Sequence, residues 1–325
     1  MSPSSPESPR GGSREASHDT DRPIHRRVFI GGCSRSGTTL LQRLLAGHPR
    51  IHTFPETGVF LRALGMRGPV LPWARLGLTL GKERKSLIRL LQQVGVTDGE
   101  APPLPPRRLR LRSSIQDVVR FLDLLTLAEG KDIWLEKTPR HVLHASRIRR
   151  MVPASIFIHL VRSGTDVVAS IVDRARRHPE RFRGQEDPAY GVRQWNRSIR
   201  ATAAAMEDPG HLILRYERLA SHPRETLRKI CAHLGIDFRE EMLEASGQTG
   251  FVLEDEVWKA PPRGPLQPAA SKCGDIFDET ERKVIDEALE ERLFNLIEER
   301  LRSAPGQVWT SGNSPAERDS PGSLS

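Results

Sequence analysis

Val28-Phe-Ile-Gly-Gly-Cys-Ser-Arg-Ser-Gly-Thr-Thr-Leu-Leu41 is the stretch whose reading decides the fold. Val28 to Ile30 is a short apolar run that reads as a buried strand. From Thr38 onward, Leu40, Leu41, Leu44 and Leu45 share one face of a helix. Between the two lies a glycine-bounded loop, Gly32-x-x-x-x-Gly37. A strand, a glycine loop and a helix start gather backbone N–H groups at the positive end of a helix dipole, a nest suited to phosphate or sulfate. The spacing is that of the nucleotide-binding loop G-x-x-x-x-G-K-[ST], but Thr38 stands where the lysine belongs and Arg35 lies inside the loop.

Outward from this loop the pattern alternates. Gly47-His48-Pro49 closes the first helix. Ile51-His52-Thr53 is a short strand, followed by Phe54-Pro55-Glu56-Thr57 at the carboxyl edge, where parallel sheets bind ligands. Later strands are expected at Asp132–Glu136, Ala154–Val161 and His211–Tyr216. Helices are expected after Gly164 (Val167, Val168, Ile171 and Val172 inward), over Tyr190–Met206, and along Leu227, Ile230, Cys231 and Leu234 up to Gly235. A final helix runs from Asp278, with Glu281 completing a capping box, through Leu301. Strands alternating with helices predict an α/β fold: a three-layer, P-loop-like domain over 26–302 with a mostly parallel sheet.

Residues 58–130 depart from this alternation. Leu87, Leu90, Leu91 and Val94, and again Ile115, Val118, Val119 and Leu122, have helical amphipathic spacing. An arginine-rich connector, Ala101–Arg112, joins the two sets. The segment is a helical insertion, either a lid whose arginines meet an anionic acceptor or a solvated linker. Residues 1–25 and 303–325 are rich in Ser, Pro, Gly and charge and are expected to be disordered tails.

The chain has 325 residues, 37% of them hydrophobic and 28% charged, with a formal net charge of +9. Such a surface suits nucleic acid, an anionic membrane or an anionic substrate. With aromatics at 5% and no zinc-finger or RNA-binding signature, a nucleic-acid partner is not expected. Cys33, Cys231 and Cys273 form neither a metal spacing nor an even disulfide set, which favours a reducing compartment. No apolar stretch approaches about 18 residues and the N-terminus lacks a signal-like core, so no membrane span and a cytoplasmic location are expected.

Several residues at strand ends carry chemistry. Arg162 closes the longest strand, and Ser170 and Arg174 follow one turn apart on the next helix, on one face. Two guanidinium forks around a hydroxyl suit a phosphomonoester; the same residues also suit a surface salt-bridge cluster with Asp166 or Asp173. Lys137, past the strand Asp132–Glu136, can place a point charge on a transferring anion or be an ordinary exposed lysine. Glu56 is placed for general-base work or for the first turn of the following helix.

Ser34-Arg-Ser-Gly-Thr-Thr-Leu40, Lys137-Thr-Pro139, Leu160-Val-Arg-Ser-Gly-Thr-Asp-Val-Val-Ala-Ser170 and Leu214-Arg-Tyr-Glu-Arg-Leu219 resemble, in order, motifs of the sulfotransferases that use 3′-phosphoadenosine 5′-phosphosulfate (PAPS). Ser221-His-Pro-Arg-Glu-Thr-Leu through Gly235 is similar to that family's later region. The likeness is to the bacterial branch and to the tyrosylprotein sulfotransferases. It covers about 27–238, leaving 63–130 unmatched. The resemblance implies that Arg35, Ser36, Gly37, Thr38 and Thr39 hold the 5′-phosphosulfate. It implies that Arg162 and Ser170, with Arg174, bind the 3′-phosphate side, and that Tyr216 lines the adenine site. Glu56 falls on the catalytic base of the tyrosylprotein branch and Lys137 on that branch's catalytic lysine. Leu253 and Lys259 fall opposite a serine and a lysine of the tyrosylprotein branch.

The expectation is transfer of a sulfuryl group from PAPS to an acceptor hydroxyl or amine on a small molecule, saccharide or peptide, without a metal. Glu56 would take the acceptor proton while Arg35 and Lys137 offset developing charge. The missing loop lysine fits, because a phosphosulfate carries less charge than a triphosphate with Mg²⁺. The rival readings are a P-loop kinase with an unusual loop and a nucleotide-binding scaffold without catalysis.

Overall fold

In the computed structural model, residues 23–64, 71–79, 81, 83–94, 102–244 and 271–303 are described. Most of both terminal tails, with Leu253 and Lys259, lies outside them. The elements in order are β1 (Arg26–Gly32), α1 (Thr38–Ala46), β2 (Ile51–Thr53), α2 (Val59–Ala63), α3 (Leu71–Arg75), α4 (Glu83–Val94), α5 (Leu111–Ala128) and β3 (Ile133–Lys137). There follow a 3₁₀ turn (Pro139–His144), α6 (Ala145–Met151), β4 (Ser155–Val161), α7 (Gly164–Arg177), α8 (Pro188–Ala203), β5 (His211–Arg215) and α9 (Tyr216–Ser221). The chain continues with α10 (Pro223–Leu234), α11 (Glu241–Glu244), α12 (Cys273–Ile276), α13 (Glu279–Ala288) and α14 (Glu291–Ser303).

The five strands are ordered β2-β3-β1-β4-β5, and every pairing is parallel. Because β1 is central and covered on both faces, its side chains alternate between two cores. Val28 and Ile30 pack with Leu41, Leu44 and Leu45 of α1 and with Leu227, Ile230 and Leu234 of α10. Phe29 points the other way, into Trp134, Phe157, Phe60, Ile115 and Leu122. Phe29 is fully buried, so truncation to alanine would cost roughly 3–5 kcal/mol. A third cluster around Trp195 joins α7 and α8 to α12, α13 and α14. Helices thus cover both faces of an all-parallel sheet.

The helices between β2 and β3 follow the spacing read from sequence: Leu87, Leu90, Ile115, Val118 and Leu122 are buried. Asp123 ties α5 to the sheet, accepting from Arg27 Nη2 and from Trp134 Nε1, each at 2.7 Å. Cys231 is fully buried on the inner face of α10, and Gly235 ends that helix in the left-handed region at φ 71°.

The expected single final helix is two. Asp278 and Glu281 do form the capping box that starts α13. The helix then breaks at Leu289, which turns extended (ψ 147°) and drops its side chain against Gly164. Asn196 of α8 bridges the break: its amide donates to Ala288 O and its Oδ1 accepts from Glu290 N, both at 3.0 Å. The leucine periodicity carried no trace of this partner.

Candidate active site

The anion loop is built by close approach. A Cβ on Gly32 would lie 2.4 Å from Leu160 O, so β1 can leave the sheet beside β4 only as glycine. Arg35 (φ 77°) and Gly37 (φ 93°) both adopt the left-handed region, and Ser36 N closes the turn onto Cys33 O at 3.1 Å. A left-handed arginine costs on the order of 1–2 kcal/mol, a strain that clusters at functional sites. Gly37 has a second constraint, since a Cβ there would meet the Tyr216 ring at 2.3 Å. The first turn of α1 has neither a side-chain cap nor an acidic residue. Its N–H groups therefore keep their attraction for an external anion. Ser36 is fully buried, and its hydroxyl has no hydrogen-bond partner among the described residues. Thr38 is buried beside it and Thr39 is half-buried.

Three guanidiniums surround the loop. Arg35 Nε donates to Ser170 Oγ at 3.0 Å, joining loop to α7. Arg162 Nη1 reaches Arg35 O at 3.4 Å, and its guanidinium lies 4.4 Å from the Tyr216 ring centroid. Arg174 donates to Ser34 Oγ at 3.4 Å and Gln185 Oε1 at 2.7 Å, and stacks 4.0 Å from the Phe182 ring. The Nε groups of Arg162 and Arg174 are buried without a partner among the described residues. Burial and the neighbouring Arg162 depress Arg35; burial and Arg35 bring Arg174 down to about 10. Mutual repulsion in a half-dry setting is the state of a site awaiting negative charge. The salt-bridge alternative is weak here. Asp166 stands 3.9 Å from Arg162, and Asp173 is engaged by Arg177 at 2.8 Å and Lys272 at 2.6 Å.

Lys137, the last residue of β3, is not a surface lysine. Its side chain is 3% exposed, and Nζ lies 3.1 Å from Oε2 of Glu56, which is one-third exposed at 33%. Glu56 does not cap the next helix, since α2 starts after a left-handed Gly58 with no side-chain cap. The pair is held from beneath by Glu136, a residue the sequence reading passed over. Its carboxylate accepts from Thr57 Oγ1 at 2.7 Å and Thr138 Oγ1 at 2.8 Å, the neighbours of Glu56 and Lys137. His141 Nδ1 approaches Glu136 to 2.9 Å. Burial alone would raise the Glu136 carboxyl; His141 and the two hydroxyls reverse this and hold it below its usual range. A carboxylate directly after the apolar run Ile133–Leu135, still within the strand, was the available signal, because such a group requires partners when buried.

A cleft of about 250 Å³ opens between these parts, with Ser34, Glu56, Arg140, Arg174, Phe182 and Tyr190 among its walls. Glu56 and Arg174 thus face one space, while Arg35, Arg162, Ser170 and Tyr216 gather at the loop. Arg35 is directed to Ser170 rather than to the Glu56–Lys137 pair. Phe182, Gln185 and Tyr190 were not singled out in the sequence, since they belong to the cleft only through the approach of the α7–α8 segment to the loop. Burial pushes the Cys33 thiol up to about 12, so this loop cysteine is no nucleophile. Among the described residues, no group of three or more His, Cys, Asp or Glu is placed to hold a metal ion.

Known proteins resemble this chain in sequence and in fold. The chain is 27% identical over 236 residues to a protein-tyrosine sulfotransferase of Drosophila melanogaster, covering 71% of this chain and 41% of that protein. It is also 27% identical over 247 residues to protein-tyrosine sulfotransferase 1 of Danio rerio, covering 74% and 61%. It therefore spans about half the length of such relatives. In three dimensions it resembles the sulfotransferase domain of the curacin biosynthetic pathway, with a TM-score of 0.52, 17% identity, and coverage of 82% of this chain and 98% of that one. The sulfotransferase domain of the Synechococcus PCC 7002 olefin synthase gives the same TM-score of 0.52 at 22% identity, covering 82% and 95%. Both likenesses establish the shared P-loop-like fold. Residues 27–240, from β1 to the edge of α11, match the sulfotransferase family as a whole, and the chain belongs to that family.

Proposed function

We propose that the chain transfers a sulfuryl group from PAPS to a hydroxyl or amine acceptor. The observation that carries this reading is the cluster of Arg35, Arg162 and Arg174, with two buried Nε groups and a Ser36 hydroxyl that have no partner among the described residues. A cofactor with two separated anionic ends fits these residues. The loop amides with Ser36, Thr38 and Thr39 would hold the phosphosulfate end. Arg162, Ser170 and Arg174 would hold the other phosphate, with Tyr216 at the base. PAPS supplies an activated sulfuryl group on a phosphate leaving group.

The remaining work falls to Glu56 and Lys137. Glu56 is one-third open and lines the cleft, where an acceptor hydroxyl or amine can reach it and give up its proton. Lys137 is fixed and nearly dry, so its charge acts with little screening on oxygens that become more negative during transfer. The buried Glu136 network keeps both in place. A phenol belongs among the acceptors tried first, since the relatives named above are protein-tyrosine sulfotransferases. The three buried free thiols, Cys33, Cys231 and Cys273, support a reducing, cytoplasmic setting as part of the same reading.

Transfer of labelled sulfate from PAPS to a panel of phenols, saccharides, amines and peptides tests the proposal. The wild type should label at least one acceptor, and Glu56→Gln should lose roughly 10²–10⁴ in rate. PAP should raise the melting temperature without Mg²⁺ and ATP much less. The reverse preference would favour the kinase reading and overturn this one.

A further inference from the structure

The basic charge of the chain is concentrated in one place. Between Thr57 and Gln116 there are eleven Arg and Lys against three Asp and Glu, a balance of eight in a chain whose net charge is +9. None of the residues that hold the cofactor lies there.

Three segments of this region and its neighbour meet at one surface. Leu78 and Arg110 form an antiparallel bridge, with Thr79 N donating to Leu109 O and Leu111 N to Gly77 O, both at 2.8 Å. This brings the end of α3 beside the Arg107–Arg112 run. Arg147 Nη2 of α6 donates to Ala74 O at 2.7 Å, which adds α6 to the same surface. Residues 71–79, 107–112 and 139–150 contain no Asp or Glu. Arg75, Arg107, Arg110, Arg112 and Arg150 are exposed. Arg108 pairs with Asp117 at 2.7 Å and Arg149 with Asp208, whereas Arg75, Arg107, Arg110, Arg112 and Arg150 form no ion pair among the described residues. Burial and repulsion from Arg150 and Arg75 depress Arg147, which shows how closely the guanidiniums crowd. Rising from this field are three apolar side chains: Trp73 at 48% exposure, Leu76 at 72% and Leu109 at 79%.

We infer that this face docks the protein onto an anionic lipid bilayer. Spread positive charge with separate apolar tips is the chemistry of interfacial attachment. The arginines read a sheet of negative charge, and a Trp and two Leu side chains enter the boundary between headgroup and acyl chain. An acidic polypeptide would satisfy the charge as well, but it offers nothing to the exposed Trp73, Leu76 and Leu109. The 3₁₀ turn and α6 run from the cleft, at Pro139 and Arg140, to the patch, at Arg147 and Arg150. A membrane at the patch would therefore lie beside the mouth of the cleft.

Co-sedimentation of the full chain with vesicles tests this, using phosphatidylcholine alone or mixed with phosphatidylglycerol. Binding is expected only to the mixed vesicles, with a blue shift of tryptophan emission and release by salt. Each exposed arginine removed should weaken binding about fivefold. Arg75→Ser/Arg110→Ser/Arg112→Ser should thus lower it about 100-fold, and Trp73→Ser/Leu109→Ser should abolish the blue shift. Arg224→Ser/Arg228→Ser/Arg239→Ser, the same charge change on and beyond α10, should bind nearly as the wild type. PAP-induced stabilisation should persist in all of these variants, which separates failure here from failure of the sulfuryl-transfer reading. Equal losses in the two triple variants would overturn the inference, as would absence of binding to the mixed vesicles. Equally tight, competing binding to polyglutamate would replace the bilayer with an acidic polypeptide.

Discussion

His159 and Arg162 stand three residues apart at the end of β4, and both are deeply buried, at 0% and 8% exposure. Their charges have opposite fates. His159 faces His211 on β5, with Nε2 and Nδ1 2.7 Å apart, and its Nδ1 meets Thr202 Oγ1 at 3.0 Å. Burial, then the neighbouring ring, pushes His159 well below its ordinary range; burial brings His211 to about 4. This pair is neutral and its polar atoms are largely satisfied inside the protein. Just past the strand end, Arg162 keeps a buried Nε with no partner among the described residues, as does Arg174 beside it. Interiors suppress charge unless something is to compensate it. The contrast therefore separates a structural polar pair from a binding site, on a single strand and at similar depth.

The largest test removes the fixed cation next to Glu56, the proposed base. Lys137→Met keeps the length of a side chain that is 3% exposed but deletes its charge. Sulfuryl transfer should fall by roughly 10²–10³, as for loss of one preorganised donor. PAP affinity, measured by calorimetry, should stay within a few-fold, because Lys137 touches Glu56 and not the arginine cluster. Loss of PAP binding in parallel with rate would move Lys137 from the catalytic to the binding side of the contrast.

Arg162→Gln tests the binding side. It exchanges a guanidinium with an orphaned Nε for a neutral amide. A charge-assisted hydrogen bond is worth about 1.5–3 kcal/mol, so PAP should bind roughly 10–100-fold more weakly. The melting temperature of the ligand-free protein should hold or rise, since mutual repulsion with Arg35 is relieved. A fall in ligand-free stability with no change in PAP affinity would make Arg162 structural, like His159.

Much of this was legible in the sequence. Gly32 and Gly37 announced the loop because backbone geometry fixes their identity, and Arg35 because its charge stands inside a loop that lacks the usual lysine. Arg162 announced itself by ending an apolar run. The amphipathic spacing of Leu87–Leu91 and Ile115–Leu122 located the faces that are buried. The burial of Lys137 was not legible. It depends on Glu56 arriving from β2, on the far side of β3, and on Glu136 gathering two threonines from different segments. Nor was the break at Leu289, which Asn196 creates from a helix distant in sequence. Local spacing reports what one element does alone; these features are set by pairs of elements.

The smallest expected effect concerns the histidine pair. His211 is neutral in the folded protein down to about pH 4, whereas in the unfolded chain it titrates near 6.5. Between these values the unfolded state binds more protons, so stability is fully present above about 6.5 and is lost as pH falls toward 4. Between pH 7 and 5 a group shifted this far contributes a loss of about 2 kcal/mol. His52 and His144, also held near 4 mainly by burial, add to the slope. The groups facing His211 are His159, Asp208 at 3.4 Å and, through Asp208, Arg149. Asp208 favours the protonated ring and Arg149 opposes it, leaving burial to decide. Urea unfolding at pH 7 and pH 5 should show this loss, and His211→Gln should reduce the difference while lowering stability at pH 7. PAP binding should be indifferent to the substitution at pH 7. A wild-type stability that stays flat from pH 7 to 5 would mean that the β4–β5 interior suppresses no charge at His159 and His211, and that Arg162 differs from them only in position.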